Sequence, residues 1–403
     1  MSHIDDLIRN LCPDGVEYKS LGEVGHLLGG LTGKNKADFV DGTARYVSYK
    51  NVYSNLEVDV TADDFVRISD SETQNTLRIG DILFTGSSEN REEVGLTSVV
   101  TSPPPAPLYL NSFCICFRPN KNFTLLPEFA KHLFRSGTIR QQVIKTATGV
   151  TRINISRKNL AKIQIPLPPA EVQQEVARTL DQFTHLEAEL EAELDVRKQQ
   201  HSHYLNHFFT SNANTQMRTL RDVGPVRMCK RIMKNQTSQQ GDVPFYKIRT
   251  FGGSADAYIS RELYNEYKEQ YHFPKSGSIL ISAAGTIGRA VPYDGKDAYF
   301  QDSNIVWIEN DETLVLNSYL FYFYKVANWK TDDGTIKRLY NDQLLNTSIP
   351  VPPLSEQRRI VNYLDKFDAL TSNPTSGLPA EIEARRKQYE YYRDRLLTFP
   401  EKK

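Results

Sequence analysis

The sequence predicts an α+β protein: two similar β-rich domains in a pseudo-two-fold arrangement, separated by two long antiparallel helices that form a coiled-coil-like spacer. Three observations carry this expectation. Ile165-Pro166-Leu167-Pro168-Pro169 returns as Ile349-Pro350-Val351-Pro352-Pro353. Each is followed by a glutamine four residues past the last proline (Gln173, Gln357) and by Leu-Asp-x-Phe (Leu180, Asp181, Phe183; Leu364, Asp365, Phe367), all at one offset of 184 residues. An ungapped match of that length marks an internal duplication. The run from Ala170 to Phe209 holds neither Gly nor Pro. Ahead of each motif lie short β-branched and aromatic segments punctuated by turn residues.

Taken in order, residues 1–20 read as a short helix (Ile4, Leu7, Ile8, Leu11) ending at Pro13-Asp14-Gly15. Strands are expected at Arg45–Tyr49, Asp81–Thr85 and Phe113–Phe117, and one helix from Leu126 to about Ile144. The second half repeats the order. Leu21-Gly22-Glu23-Val24-Gly25 resembles Leu220-Arg221-Asp222-Val223-Gly224, Gly80–Leu83 resembles Gly277–Leu280, and Leu126–Phe129 resembles Leu316–Tyr319. The offsets shrink along the chain, so the second copy has shorter loops. Ser211–Thr215 reads as the linker.

Pro168-Pro169 cannot continue a strand ladder but suits a helix start. Val172, Val176, Leu180 and Phe183 then open an apolar stripe that Leu186, Leu190 and Leu194 extend; Arg197–His203 interrupts it, and Tyr204, Leu205 and Phe208 resume it. A forty-residue helix is about 60 Å long and needs a partner to bury such a stripe. The second copy offers one: Ile360, Leu364, Phe367 and Leu370, then Ile382, Tyr389, Tyr392, Leu396 and Leu397, with a break expected from Asn373 to Pro379. The expected division is 1–165, 166–213, 214–349 and 350–403.

The chain has 403 residues, with 49 basic and 49 acidic side chains, and too great a length for one core. Its four cysteines form no Cys-x-x-Cys pair and no zinc pattern, and read as buried thiols in a reducing compartment. The acidic N-terminus reads as no signal peptide, and no apolar run is long enough to span a membrane. Catalytic signatures fail at needed residues. Gly29–Lys34 ends in Gly-Lys, but Leu28 and Asn35 stand where a P-loop needs Gly and Ser or Thr. Ser102-Pro103-Pro104 is followed by Pro105 rather than the aromatic that an adenine-methyltransferase motif uses to stack a flipped base. No active site of its own is expected.

Charge is segregated instead. Arg118 to Lys162 holds ten basic residues against one acid, Glu128; Glu57 to Glu93 is acidic; and Arg218 to Arg249 holds eight basic residues against Asp222 and Asp242. Basic faces attract phosphate and release counterions. Base reading needs Arg, Lys, Asn or Gln on rigid loops. The candidates are Lys50, Asn51, Arg91, Lys145 and Arg152 in the first copy and Lys247, Arg249, Arg289, Lys337 and Arg338 in the second. Arg152 and Arg338 stand in Gly-containing loops, Thr148–Arg152 and Gly334–Arg338.

The duplicated Ile-Pro-x-Pro-Pro with its Gln and Leu-Asp resembles the conserved regions of specificity subunits of type I restriction-modification systems. Gly149–Asn154, Gly285–Gly288 and Gly334–Leu339 are similar to patterns in their target-recognition domains. The resemblance covers nearly the whole chain and implies a non-catalytic, cytoplasmic subunit that binds double-stranded DNA. Residues 1–165 and 214–349 would each read half of a bipartite, asymmetric site. The helical regions 166–213 and 350–403 would set the gap and dock two modification subunits, with Gln173, Leu180, Gln357 and Leu364 as docking candidates. No cofactor is implied for this chain; S-adenosylmethionine, ATP and Mg belong to modification and restriction partners. A scaffold protein and a self-contained DNA-modifying enzyme are the alternatives.

Overall fold

The computed structural model describes residues 3–69, 71–210, 215–331 and 337–402. It divides into two compact units, Met1–Leu190 with Ile382–Lys403, and Glu191–Glu381. The division crosses the central helix and leaves the C-terminal region shared between units, unlike the boundaries expected from the motifs. Four of the five residues of the expected linker, 211–214, lie outside the described residues.

Both units contain a β-rich head of the same plan. In the first, strands Gly25–Gly29, Cys114–Pro119, Ile82–Thr85 and Thr97–Val99 form an antiparallel sheet in that order. Phe65–Val66, Ala44–Val47 and Tyr109–Leu110 form a second, in which the last pair is parallel. In the second head the order is Val226–Arg227, Ile305–Ile308, Ile279–Ser282 and Ala290–Pro292, with Tyr258–Ile259, Val243–Tyr246 and Tyr299–Phe300 as the smaller sheet, again parallel at its last pair. Each larger-sheet strand presents one apolar face to the core: Ile82, Phe84 and Phe117 meet Phe129, Leu133 and Phe134 in the first head, where Phe84 and Phe134 pack edge-on at 5.7 Å.

The duplicated motif closes each head. Its Ile-Pro half is a strand, Gln164–Pro166 or Ser348–Val351, paired antiparallel with the strand that leads into that head, Tyr18–Ser20 or Gln216–Thr219. Proline is tolerated because these are edge strands. A one-turn helix follows each leading strand, Leu21–Val24 and Leu220–Val223. Each is closed by a capping box, Ser20 with Glu23 and Thr219 with Asp222.

The prolines then release the chain into Ala170–Phe209, one helix of 40 residues as expected. Val172, Val176 and Leu180 are fully buried in the first core. Within the first unit this helix runs antiparallel to Gly377–Leu396: Phe183 stacks on Tyr392 at 5.3 Å, and Glu187 pairs with Arg386 at 2.9 Å. Within the second, its latter half runs antiparallel to Leu354–Thr371, with Tyr204 against Tyr363 at 5.2 Å and His201 against Phe367 at 5.7 Å. The chain end also ties into the first unit, where Val16 N–H donates to Pro400 O and Lys402 N–H to Val16 O.

Local expectations fail where caps intervene. The helix expected over 126–144 is two, Pro127–Leu133 and Gly137–Thr146, because the chain bends at Ser136 and restarts. Tyr49 starts a helix, Tyr49–Ser54, rather than ending a strand, since Ser48 Oγ accepts from Asn51 N at 3.4 Å as an N-cap. The C-terminal break spans 372–376; Pro379 sits inside the first turn of the next helix, where its missing N–H costs nothing. Helix Arg261–Gln270 was not anticipated. No described helix is long and apolar enough to cross a membrane.

Candidate nucleic-acid interface

The repeated glutamines join each helix to its head. Gln173 accepts from Leu126 N at 2.8 Å and donates to Thr124 O and Pro168 O, both at 2.8 Å. Gln357 accepts from Leu316 N at 2.9 Å and donates to Leu314 O at 3.0 Å and Pro352 O at 2.9 Å. Gln173, Gln357, Leu180 and Leu364 are all 0% exposed. The expectation that these four dock a partner is therefore corrected: their polar atoms are spent on backbone inside the unit, and their apolar atoms lie in its core.

The aspartate beside each leucine does the same work at the edge of the core. Asp181 pairs with His132 Nε2 at 2.8 Å and Lys131 Nζ at 2.7 Å, and His132 Nδ1 meets Tyr389 Oη at 2.9 Å. In the second unit Tyr322 Oη donates to Asp365 at 2.6 Å, and Lys325 pairs with Asp368 at 2.9 Å. Burial opposes the Asp181 charge, but hydrogen bonds from His132 and Lys131 hold its carboxyl below the usual range. Burial pushes His132 below the ordinary imidazole value despite the pull of Asp181.

The basic run 118–162 proves to be partly internal wiring, which corrects its reading as one phosphate-attracting face. Arg118 pairs with the buried Asp81 at 2.6 Å. Lys131 bridges Glu57, Glu128 and Asp181. Arg135 donates to Thr97 O, Val52 O, Tyr53 O and Asn55 O, and Arg140 to Gly95 O, Glu92 O and Val94 O. Burial pushes both guanidinium groups down to about 10. Arg135 serves carbonyls left open at the end of helix Tyr49–Ser54 and at Thr97, and Arg140 serves those of the turn from Glu92 to Gly95.

Of that run, Arg152 lines a cleft of the first head, whereas Lys121, Arg157, Lys158 and Lys162 are exposed and do not line it. The cleft, of about 780 Å³, is lined by Tyr49, Lys50, Tyr53, Ser87, Glu89, Glu93, Phe113 and Arg152. Tyr49 and Tyr53 stack at 6.2 Å, one helical turn apart. The structure thus brings Lys50 and Arg152 together. Arg91 is exposed and reaches Ala147 O at 3.3 Å, and Lys145 is exposed in the last turn of its helix. Asn51 is a correction: it is 7% exposed, donates to Asp59 O at 2.9 Å and accepts from Asp59 N at 3.1 Å, so it holds a loop rather than facing a ligand. Sequence reasoning missed Tyr49, Tyr53 and Phe113. Two tyrosines four residues apart around Lys50 were the available signal for the first two.

In the second head Lys247 and Arg249 converge on Asp256. Arg289 is exposed and donates to Phe251 O at 2.8 Å; Lys337 is exposed; Arg338 donates to Asn304 Oδ1 at 2.8 Å. The loop residues Gly334–Ile336 lie outside the described residues. Pairing corrects the equivalence expected of the two loops. Asn154 stands opposite Ser87, and Arg338 opposite Ala284. Arg338 therefore occupies the place of Asn154, two residues along from Arg152.

All four cysteines are free and buried, and burial pushes Cys114 and Cys229 up to about 12. Among the described residues no cluster of three His, Cys, Asp or Glu side chains could hold a metal.

The heads and their helices match the type I restriction modification DNA specificity domain twice, over residues 13–196 and 212–384. The chain belongs to this family. A putative type I restriction enzyme specificity subunit of Haemophilus influenzae is 54% identical over 260 residues, covering 62% of this chain and 68% of that protein. The specificity subunit of a type I restriction enzyme of Escherichia coli is 32% identical over 270 residues, covering 61% and 65%. The chain thus spans about two thirds of the length of each. A chain from a structure concerned with assembly and conformational transition of the type I system superposes with a TM-score of 0.62 at 19% identity, covering 95% of this chain and 97% of that one. That likeness is one of fold. The family's role is DNA recognition, and its relatives are named for specificity rather than for a reaction.

Proposed function

We propose that each head reads one half of a bipartite, asymmetric site on double-stranded DNA, and that the helices set the unread gap between the halves. The observation that carries this reading is the duplication of the whole head, each copy with its own exposed cations, Lys50, Arg91 and Arg152 in the first and Arg249, Arg289 and Lys337 in the second. In the first head, Lys50 offers a point charge for phosphate, and Arg152 offers the planar fork that suits base edges. In the second, Arg249, Arg289, Lys337 and Arg338 supply the equivalent chemistry. Arg91 and Lys145 lie outside the cleft lining and fit backbone contacts.

The reading includes partners. Two modification subunits, docking on the exposed faces of the helices, would supply S-adenosylmethionine-dependent methylation of adenine. Restriction subunits would add ATP- and Mg-dependent translocation and cleavage. The working compartment is the cytoplasm.

Exchanging residues 1–165 for the corresponding head of another family member tests this. Methylated adenines are then mapped in cells that also express the modification subunit. One half of the site should change and the other stay. Change in both halves, or in neither, would defeat the two-reader model. Methyl incorporation into DNA by the purified chain alone would instead favour a self-contained enzyme. Binding to mixed-sequence duplex without a salt slope would favour a scaffold.

A further inference from the structure

Backbone pairing fixes which residues correspond between the heads at the base of the exposed loops. Gly86 N–H donates to Phe113 O at 2.7 Å, and Ala283 N–H donates to Asn304 O at 2.7 Å. Ile155 N–H then donates to Gly86 O at 3.0 Å, and Leu339 N–H to Ala283 O at 2.9 Å. Phe113 and Asn304 are therefore the same position of the fold, each beside the strand pairing that carries a loop arginine.

Both residues hold that arginine, by different chemistry. Arg152 lies over the Phe113 ring at 5.3 Å, and its Nη2 donates to Ser87 Oγ at 3.2 Å. The phenyl ring is 55% exposed, although its backbone is pinned on both sides, by Gly86 and by Asn111 Oδ1, which accepts Phe113 N–H at 2.9 Å. A ring so placed covers one face of the guanidinium, and both side chains line the cleft. In the second head, Arg338 Nη2 donates to Asn304 Oδ1 at 2.8 Å and to Ser303 Oγ at 3.3 Å. Ser303 has φ of 54°, a backbone conformation that a serine seldom adopts without a local reason. There the guanidinium is gripped by its edge rather than its face.

We propose that Phe113 and Asn304 are specificity-determining positions of the two heads. Phe113 positions Arg152 to read a guanine, and Asn304 positions Arg338 to read one base of the other half-site. This rests on the DNA-reading function proposed above. With its face covered and one Nη2 hydrogen given to Ser87 Oγ, the guanidinium still has N–H groups to offer the O6 and N7 acceptors of guanine, the pairing that its geometry fits best. Stacking also removes the rotamer freedom that would blur the choice. An amide at the same position holds an arginine two residues further along its loop, which gives two heads on one scaffold different bases to read.

The test uses the chain expressed with its modification subunit and methylated-adenine mapping as the readout. The wild type must give a bipartite motif; its absence would defeat the DNA-reading proposal, and the present one with it. With that motif in hand, Phe113→Leu keeps apolar bulk but loses the stack. It should relax one guanine position in one half-site, with discrimination falling about tenfold, and leave the other half unchanged. Phe113→Tyr should restore it. Arg152→Ala should relax the same position, and the double variant should go no further. Asn304→Ala should relax a position in the other half-site only. An unchanged motif, a uniform loss of methylation at every site, or relaxation of the same half-site by both variants would overturn this proposal while leaving the DNA-reading function standing. Should Phe113→Leu fail to fold, Arg152→Lys puts the same question, because lysine keeps the charge and lacks the plane.

Discussion

Gln173 accepts the backbone N–H of Leu126 at 2.8 Å, and through this bond the first turn of the central helix is tied to the first turn of a helix in the head. Its amide also serves Thr124 O and Pro168 O, so one fully buried side chain satisfies three backbone groups. Replacing it with Leu matches the volume but orphans all three. Orphaned buried groups cost about 1–3 kcal/mol each, partly relieved by water, so Gln173→Leu should cost about 3 kcal/mol. Gln173→Glu keeps the bond from Leu126 N but should cost more, since it sets a buried carboxylate against the carbonyls of Thr124 and Pro168. Calorimetry checks this. A variant as stable as the wild type would mean that the clamp is dispensable. Gln357→Leu makes the equivalent claim for the second unit.

Arg135 and Lys50 should separate stability from DNA binding. Arg135→Met leaves the carbonyls of Thr97, Val52, Tyr53 and Asn55 without their donor and should destabilise by about 3 kcal/mol. The salt slope of duplex binding should not move. Lys50→Gln should leave the melting temperature alone and lower the slope of log K against log salt by about one, the value of one phosphate contact. Titrations at several salt concentrations decide the matter. A slope change with Arg135→Met would return that residue to the interface.

His132 makes the first unit sensitive to mild acid. Burial holds its folded pKa below the ordinary value, against the pull of Asp181 and with Lys131, Glu128 and Tyr389 around it. The unfolded chain therefore takes up a proton first as pH falls through about 6.5. The stability present above that pH is lost on the way down to the folded pKa. Asp181, whose own pKa is depressed, keeps its contribution until pH falls through the lower carboxylate range, so it does not mask the effect. His132→Asn should thus shrink the drop in melting temperature between about pH 7.5 and about pH 5.5. An identical drop in the variant would show that His132 does not titrate on unfolding.

The duplication and the forty-residue helix were legible because they depend on spacing, and spacing is written in the chain. The roles of Gln173, Leu180, Gln357 and Leu364 were not, because periodicity says how far apart residues stand and not which surface they face. Charge counting misled for a related reason. Arg135 and Arg140 count as two positive charges in the sequence, yet they are consumed by carbonyls at the end of helix Tyr49–Ser54 and in the turn from Glu92 to Gly95. Phe113 looked like the first residue of an apolar strand with Ile115 and Phe117. The turn at Asn111 delays the strand by one residue and turns the ring outward. The two loop arginines looked equivalent by their glycines, and only the ladder opposite Ser87 and Ala284 shows them two residues apart.

The central helix should act as a length standard. The boundary between units falls at Leu190 and Glu191, midway along its 40 residues, where Glu189, Glu191 and Glu193 are exposed and Leu190 is half-buried. A helix can be lengthened there at little cost to either core. Four added residues after Leu190 contribute about 6 Å, roughly one turn. A matching four after Glu381 keep the other boundary-crossing helix in step. At about 3.4 Å per base pair, the gap between half-sites should grow by one or two pairs, with both half-sites unchanged in sequence. Mapping methylated adenines gives the gap directly. Four residues also turn the helix by about 40° beyond a full turn, whereas seven come within about 20° of two turns. A seven-residue insertion should therefore be better tolerated per ångström and lengthen the gap by about three pairs. If the gap holds constant in both variants while methylation persists, the helix is a tether and something else measures the DNA.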